Sequence, residues 1–401
     1  MRAVVTRARR GAAVTLSVLL LAALVSGSLV SGSRAPRGGG VDGDSIPERI
    51  SDVEFWRLVT TMSEPAGYFR SDNLVSNELT FQHVIPALLD RLGTGGVYLG
   101  VGPDQNFSYL VALRPRIAFI VDIRRGNLQQ HLLYKALIEL SNDRADFLSS
   151  LFSRARPPTV GAESSAGALL TAFESMPADT NRLRATIAAV RQRLVDGRGF
   201  ALGEEDLAGM EYVLQAFLLD GAALTYSFGR GMRGYGMRGM PSYGELLVAT
   251  DAEGSPRGYL SSEEQFAVLK DLEERNLIVP LVGDFAGAKT LREVGRYLAA
   301  RSATVSAIYT SNVEQYLFQG DEGWRRYYGN VAALPLDERS VFVRAVFNYS
   351  GYRDPGMPRG PRSVTMLSPV ADVLSGVGDG SVSSYWDIIR LSYSPVEPAL
   401  P

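Results

Sequence analysis

The first residues whose types and spacing indicate chemistry are two glycines, Gly100 and Gly102, which end an apolar run and precede Asp104 and Asn106. Glycines at the end of a buried strand let the backbone turn tightly and approach a ligand, and the N-terminus of the following helix offers free N–H groups. Gln105 stands where the dinucleotide fingerprint has its third glycine, so the match to a pyrophosphate site is weak.

Polar side chains also follow three later apolar runs. Asp122 closes the next run about twenty residues after the glycines, where a carboxylate accepts hydrogen bonds from a ribose diol. Asp284 ends a third run; its carboxylate can accept from an adenine amino group, and the ring of Phe285 can pack on the base. Ser311 and Asn312 end a fourth run. We expect these strand ends to border one crevice, because ligands bind outside the carboxyl ends of parallel strands.

These residues need a parallel sheet that brings the strand ends together. Apolar runs that alternate with helical patterns favour right-handed crossovers. The predicted strands are Gly96–Gly100, Ile117–Val121, Leu277–Val282, Thr304–Thr310, Ser340–Phe347 and Ser363–Leu367. The sequence therefore predicts an α/β fold, with a Rossmann-like, mostly parallel sheet flanked by helices.

Helical periodicity precedes the first strand and follows the second. We predict an N-terminal helical cap over residues 46–92, with amphipathic helices at Asp52–Met62 and Leu79–Leu92, the second kinked by Pro86. After Asp122, Asn127 is predicted to be the N-cap of a helix that runs to about residue 140.

A long, mainly helical insertion over residues 141–276 separates the second strand from the third. Its predicted helices are Ala166–Met176, Thr180–Val195, Glu204–Leu219 and Ser262–Arg275.

The N-terminus carries the clearest targeting signal. Four arginines within the first ten residues precede Gly11–Val30, which has no charged residue. This pattern is typical of a signal peptide or a single membrane anchor over residues 1–33, and a flexible linker follows over residues 34–45. The pattern leaves cleavage and anchoring open. In either case residues 46–401, one Rossmann-like domain, are predicted to lie outside the cell membrane, tethered to it or secreted or periplasmic.

The amino-acid composition excludes several types of binding and catalytic site. The chain has no cysteine and two histidines, His83 and His131, which excludes disulfides, zinc thiolate sites and a cysteine nucleophile. We expect no bound metal, and His83 is predicted to be structural. The formal net charge of −2 provides no field that attracts nucleic acid, so we expect no nucleic-acid partner.

The ordered set of strand ends resembles the class I S-adenosylmethionine-dependent methyltransferases. Gly100 and Gly102 match the glycine motif, Asp122 matches the ribose acid, and Asp284 matches the acid after the third strand. The resemblance covers roughly residues 95–140 and 277–367. It implies S-adenosylmethionine as the cofactor and methyl transfer to an unidentified small-molecule or protein acceptor.

The resemblance also implies roles at the reactive end. Ser311 and Asn312 stand at the fourth strand end, where such enzymes often place catalytic or substrate-positioning residues, and Asp104 and Asn106 would border the same end. Direct displacement at a methyl group needs positioning more than a strong base. Tyr98 departs from the pattern, because these enzymes usually have an acidic residue there. The glycine turn is also similar to that of a group of bacterial proteins without an assigned function.

Three local motifs allow other interpretations. Gly283–Thr290 differs from a phosphate-binding P-loop by Ala288, whose Cβ would crowd the backbone. His131 is either a base that faces the crevice or a partly buried surface residue. Arg124 and Arg125 either bind an anionic group or are solvated loop charges.

Two loops could cover the predicted crevice at the strand ends. The loop with Glu64, Tyr68, Asp72 and Asn73 is predicted either to cover the crevice or to cap helices and form turns. Tyr226–Gly244 is rich in Gly, Arg, Met and Tyr and is predicted to be a mobile flap or disordered.

The targeting signal and the methyltransferase pattern disagree, because S-adenosylmethionine is made in the cytoplasm. The alternative hypothesis is therefore a non-enzymatic, membrane-tethered binding or scaffold protein on the same fold.

Overall fold

Six strands form one sheet in the computed structural model, which describes residues 45–227, 240–320, 322–347 and 363–395. They are β1 (Val97–Gly100), β2 (Ile117–Asp122), β3 (Ile278–Val282), β4 (Val305–Ser311), β5 (Val341–Phe347) and β6 (Ser363–Pro369). Each predicted strand is found, and no end is shifted by more than two residues.

The strand order is β3-β2-β1-β4-β5-β6, and all neighbours are parallel except β6, which is antiparallel to β5. The predicted α/β class with a mostly parallel sheet flanked by helices is confirmed. The chain reverses its direction of strand addition between β1 and β4. Open α/β sheets bind ligands at such a switch point.

Fifteen α-helices are found within the described ranges. They are α1 (Asp52–Met62), α2 (Ile85–Leu92), α3 (Gln105–Leu113), α4 (Arg125–Leu140), α5 (Arg144–Leu151), α6 (Ala166–Glu174), α7 (Thr180–Arg191), α8 (Glu204–Asp220), α9 (Tyr243–Val248), α10 (Glu263–Glu274), α11 (Thr290–Ala299), α12 (Val313–Leu317), α13 (Gly323–Val331), α14 (Val370–Asp379) and α15 (Tyr385–Arg390).

Two predicted helix features are wrong. Pro86 lies in the first turn of α2, where its missing N–H costs nothing, so the helix starts there instead of being kinked. The N-cap of α4 is Arg124, and Asn127 lies inside the helix. The four predicted insertion helices correspond to α6, α7, α8 and α10, and α5 and α9 were not anticipated.

Helix α4 connects the sheet to the insertion. It packs on β2 and β3 and is covered by α8 and α10, so every residue from Asn127 to Glu139 is buried. The insertion therefore completes the core beside β2 and β3.

The chain from Ser63 to Thr80, here the crossing segment, runs along the carboxyl edge of the sheet. The Glu64 amide donates to the carbonyl of Val282, the last residue of β3 (2.8 Å), and the Gly67 amide donates to the carbonyl of Ile123, just after β2 (2.8 Å). At the side of the sheet that ends in β6, the Thr365 amide donates to the Thr80 hydroxyl (3.0 Å). The crossing segment thus lies over the strand ends where the sequence predicts a ligand.

Several predictions lie outside the described residues. These are the signal peptide or anchor over residues 1–33, the linker except Ser45, and residues 228–239 of the glycine-rich segment. Across the described part of the chain, no helix has both the length and the apolar character needed to cross a membrane.

Candidate functional site

A cavity of about 360 Å³ lies at the carboxyl ends of β1 to β4, beneath the crossing segment. This volume is within the range of small-molecule sites. The predicted residues that line it are Gly102, Asp122, Asp284, Phe285, Ser311 and Asn312. Four strand ends therefore contribute side chains or backbone to one space.

Gly100 and Asn106 shape the turn beneath the cavity and do not line it. The side-chain Nδ2 of Asn106 donates to the carbonyls of Val101 (2.9 Å) and Pro103 (2.7 Å). Its Oδ1 accepts from the Tyr98 hydroxyl (2.9 Å). A Cβ on Gly100 would overlap the Asn106 oxygen and lie 2.6 Å from Tyr98 Cε1. The glycine is required because the Asn106 side chain occupies that space.

Asp104 is buried away from the cavity lining. Its carboxylate accepts from the Tyr259 hydroxyl (2.8 Å), which also contacts the Tyr243 hydroxyl (2.8 Å). Burial raises the pKa of Asp104 to about 6.

His131 holds the turn from the side of α4. Its Nε2 lies 2.9 Å from the Gly102 carbonyl, and the ring is buried. Burial lowers the pKa of His131 to about 4, so the neutral ring donates Nε2–H to that carbonyl. His131 is not among the residues that line the cavity, and this geometry supports a structural role.

Asp122 is engaged by Arg124 at the cavity wall. Arg124 Nε donates to Oδ1 (3.0 Å), Nη2 donates to Oδ2 (2.8 Å), and the Arg124 amide donates to Oδ1 (2.9 Å). A carboxylate offers about four acceptor positions, so about one remains for a ligand hydroxyl.

Arg124 and Arg125, which follow β2, each form an ion pair with a carboxylate. Arg124 is buried and also donates to the Asp72 carbonyl of the crossing segment, so it is not a solvated loop charge. Arg125 forms a bidentate pair with Asp206 of α8 (2.6 and 2.7 Å).

The P-loop interpretation of the turn before α11 is wrong. Glu64 Oε1 accepts from the amides of Lys289 (2.9 Å) and Thr290 (2.7 Å), so a carboxylate of this chain occupies the place where a phosphate would bind. Of the two roles predicted for the loop that contains Glu64, this residue has the second, because it caps the start of α11. Tyr68 and Asn73 of the same loop line the cavity, whereas Asp72 does not.

Asp284 and Phe285 are held by their own turn and by α13. Asp284 Oδ1 accepts from the Ala286 amide (2.9 Å). The Phe285 carbonyl accepts from the Asn330 amide group (2.9 Å), and its ring packs edge-on against Tyr327 at 5.6 Å. Both residues line the cavity with fixed backbone.

Glu78, which lies in the crossing segment and lines the cavity, has no counterpart among the residues predicted from the sequence. Its side chain is completely buried, and Oε1 accepts from the hydroxyls of Tyr309 (2.7 Å) and Ser311. The second oxygen, Oε2, has no hydrogen-bond partner among the described residues. Burial raises the pKa of Glu78 to about 7.

Ser311 ends β4 in an unusual backbone conformation. Its φ is +49°, a region that L residues seldom adopt, and the pairing of β4 with β5 shifts between Tyr309 and Ser311. Such irregularities re-aim side chains and concentrate at functional sites. Here the Ser311 hydroxyl is aimed at Glu78.

Helix α12, which contributes part of the cavity wall, is anchored by a buried ion pair. Glu314 accepts from Arg344 of β5 (Nε–Oε2 2.7 Å, Nη2–Oε1 3.1 Å) and from the Tyr328 hydroxyl (2.7 Å). Beyond this anchor, the ring of Tyr316 meets Phe69 edge-on at 5.2 Å, and both rings line the cavity.

The chain belongs to the family described as a domain of unknown function, DUF7790, whose model matches residues 73–184 and 227–359. The matched residues include β1 to β5 together with Glu78, Asp122, Asp284 and Ser311. No curated protein matches the sequence.

Proposed function

We propose that the cavity binds an adenosine-type ligand, with S-adenosylmethionine as the first candidate, and that the protein is a methyltransferase-like enzyme. Its acceptor is an unidentified small molecule or protein. The observation that carries this proposal is the meeting of Gly102, Asp122, Asp284 and Ser311 in one cavity at the topological switch point.

The residues present fit such a ligand in three respects. Gly102 has a φ of +79° and lets the backbone approach the ligand without a Cβ. Asp122 keeps about one acceptor position for a ribose hydroxyl. Phe285 offers a held aromatic surface to a base beside the Asp284 carboxylate.

When bound, S-adenosylmethionine supplies a methyl group on a positively charged sulphur. The residues of this chain then have three tasks: Asp122 orients the sugar, Asp284 and Phe285 hold the base, and Ser311 and Asn312 position the acceptor. Positioning of this kind accounts for much of the rate in direct displacements.

Calorimetric titration of the purified full chain, kept in mild detergent, tests the proposal. We expect S-adenosylmethionine and S-adenosylhomocysteine to bind, and Asp122→Asn and Asp284→Asn each to weaken binding by about tenfold, the loss of about one hydrogen bond to a charged group. Asp206→Asn, which removes the partner of Arg125 outside the cavity, is the matched control. A folded chain that binds neither compound at about 1 mM would overturn the proposal.

The second candidate is a non-enzymatic binding or scaffold protein, tethered to the membrane by the N-terminal segment with its main domain outside. The ion pair between Asp122 and Arg124 favours it, because most of the acceptor capacity of the ribose acid is already used. On this hypothesis Asp122→Asn and Asp284→Asn leave the cellular function intact, whereas on the first they impair it.

A further inference from the structure

We propose that Glu78 and Gln105 form a subsite for an ammonium group of the molecule that occupies the cavity. This inference rests on the proposed function only in taking this cavity as the ligand site. It adds that the ligand group beside α3 and β4 carries a positive charge.

The first observation is a pair of unused acceptors. Glu78 Oε2 and Gln105 Oε1 are buried and have no hydrogen-bond partner within the described ranges, although both residues line the cavity. The two side chains are fixed relative to each other, because Gln105 Nε2 donates to the Tyr309 hydroxyl (2.9 Å) and that hydroxyl donates to Glu78 Oε1 (2.7 Å). Buried acceptors normally have a donor, so a ligand that donates twice completes this arrangement.

The second observation is charge. The described residues that line the cavity include three carboxylates, Glu78, Asp122 and Asp284, and one guanidinium, Arg124. Arg124 is already paired with Asp122, and no ion pair of Glu78 is found in the part of the chain that the structure describes. A buried carboxylate without a cation is costly, and an ammonium relieves this cost while offering three donors and no acceptor.

The ammonium has two sources. One is the α-amino group of an S-adenosylmethionine-type ligand. The other is a primary amine on the acceptor, which would lie beside Ser311 and Asn312. The shared chemistry is a primary ammonium against Glu78, and the experiment separates the sources.

The subsite predicts a dependence on pH. Among the described residues, the titratable groups that interact electrostatically with Glu78 are the phenols of Tyr98, Tyr109, Tyr309 and Tyr385, on β1, α3, β4 and α15. The Ser311 hydroxyl also donates to Glu78. Burial raises the pKa values of these phenols above their usual range, so they stay neutral. Glu78 itself carries the negative charge above about pH 7 and loses it below. The affinity for an ammonium therefore falls below pH 7, by up to about tenfold per pH unit.

The experiment uses two matched pairs of probes on the full chain, followed by calorimetry or ligand-observed NMR. In the first pair, S-adenosylhomocysteine is compared with its analogue in which hydrogen replaces the α-amino group. In the second pair, 2-phenylethylamine is compared with 2-phenylethanol. Each pair is titrated at pH 6, 7 and 8 against wild type, Glu78→Gln and Asp104→Asn. The last variant is the matched control, because Asp104 is a buried acid with a raised pKa that does not line the cavity.

We expect the amine of at least one pair to bind tenfold or more tightly than its neutral partner at pH 8. The preference shrinks at pH 6, disappears in Glu78→Gln and persists in Asp104→Asn. The pair that shows it identifies the source of the ammonium. Thermal unfolding checks that Glu78→Gln folds, and its side-chain oxygen can still accept from Tyr309 and Ser311.

Equal affinities within both pairs, or a preference that survives Glu78→Gln, would overturn the inference. This failure is distinct from failure of the proposed function. If S-adenosylhomocysteine and its analogue bind equally well, the ligand class stands and the subsite does not. If only 2-phenylethylamine shows the preference and neither adenosine compound binds, the subsite stands and the ligand class does not.

Discussion

Two completely buried glutamates lie near the end of β4, and they are treated in opposite ways. Glu314 receives two hydrogen bonds from Arg344 and one from Tyr328, so its charge and both oxygens are satisfied. Glu78 receives two hydroxyl donors on one oxygen, has no cation, and keeps Oε2 unpartnered among the described residues. Adjacent residues of β4 donate to the two carboxylates: Thr310 donates to Glu314, and Ser311 donates to Glu78.

This difference separates a structural acid from a functional one. A buried charge that the protein satisfies completely holds elements together, here α12 and β5. A buried charge that the protein satisfies in part lowers stability, and it persists where a ligand or a reaction uses it. Burial alone does not distinguish the two glutamates, whereas the count of donors does.

The largest expected effect is on the satisfied glutamate. Arg344→Met leaves the Glu314 carboxylate buried without its cation, so the free energy of unfolding falls by about 3–5 kcal/mol in denaturant titrations. Near pH 5 Glu78 is protonated in the folded state, so Glu78→Gln replaces one neutral side chain by another and changes the same quantity by no more than about 1 kcal/mol. The double variant Arg344→Met/Glu314→Gln recovers part of the loss. A loss of less than about 1 kcal/mol in Arg344→Met would remove the distinction between the two glutamates.

The next effect is a dependence of stability on pH. The folded state holds the proton of Glu78 up to about pH 7, whereas the unfolded state releases it near 4.5. Between these values the folded state binds more protons, so stability falls as pH rises, by up to about 3 kcal/mol. The unfolding free energy of wild type, measured relative to Glu78→Gln, should therefore decrease from pH 4.5 to 7. Parallel curves for the two proteins would show that Glu78 is ionised normally.

The smallest effect compares two phenols. Tyr309→Phe removes one of the two donors to Glu78, which favours the protonated acid, so the titration midpoint of Glu78 should rise by about one pH unit. Tyr328→Phe removes a donor from Glu314 but leaves Arg344, and costs about 1–2 kcal/mol of stability. Carbon-13 NMR of the glutamate carboxyl groups follows the first change. An unmoved midpoint in Tyr309→Phe would contradict the hydrogen-bond assignment.

The strand ends were predictable because each has a local signature. A buried parallel strand is a continuous apolar run, and its first polar residue marks the carboxyl edge. Asp122 and Asp284 were found in this way, and the parallel order of β1 to β4 then places them at one edge. Helix starts were less certain, because Arg124 and Asn127 are both plausible before α4 and tertiary contacts of Arg124 decide between them.

Glu78 was not predictable from its neighbours. It lies in an irregular stretch, and its partners Tyr309 and Ser311 are 231 and 233 residues away in the sequence. One available signal was the position of Arg344 inside an apolar strand, which requires a buried acid as partner. That signal predicts a buried acid, which the structure identifies as Glu314, and it gives no indication of Glu78.

The crossing segment sets the order in which the site can assemble. Its bonds to Thr290, Ser363 and Thr365 join residues separated by 226, 283 and 285 positions. Contacts of such high contact order form late, because the chain must close a very long loop before they contribute. The cover of the cavity is therefore complete only after β6, whose Ser363 and Thr365 bond to Thr80, has joined the sheet.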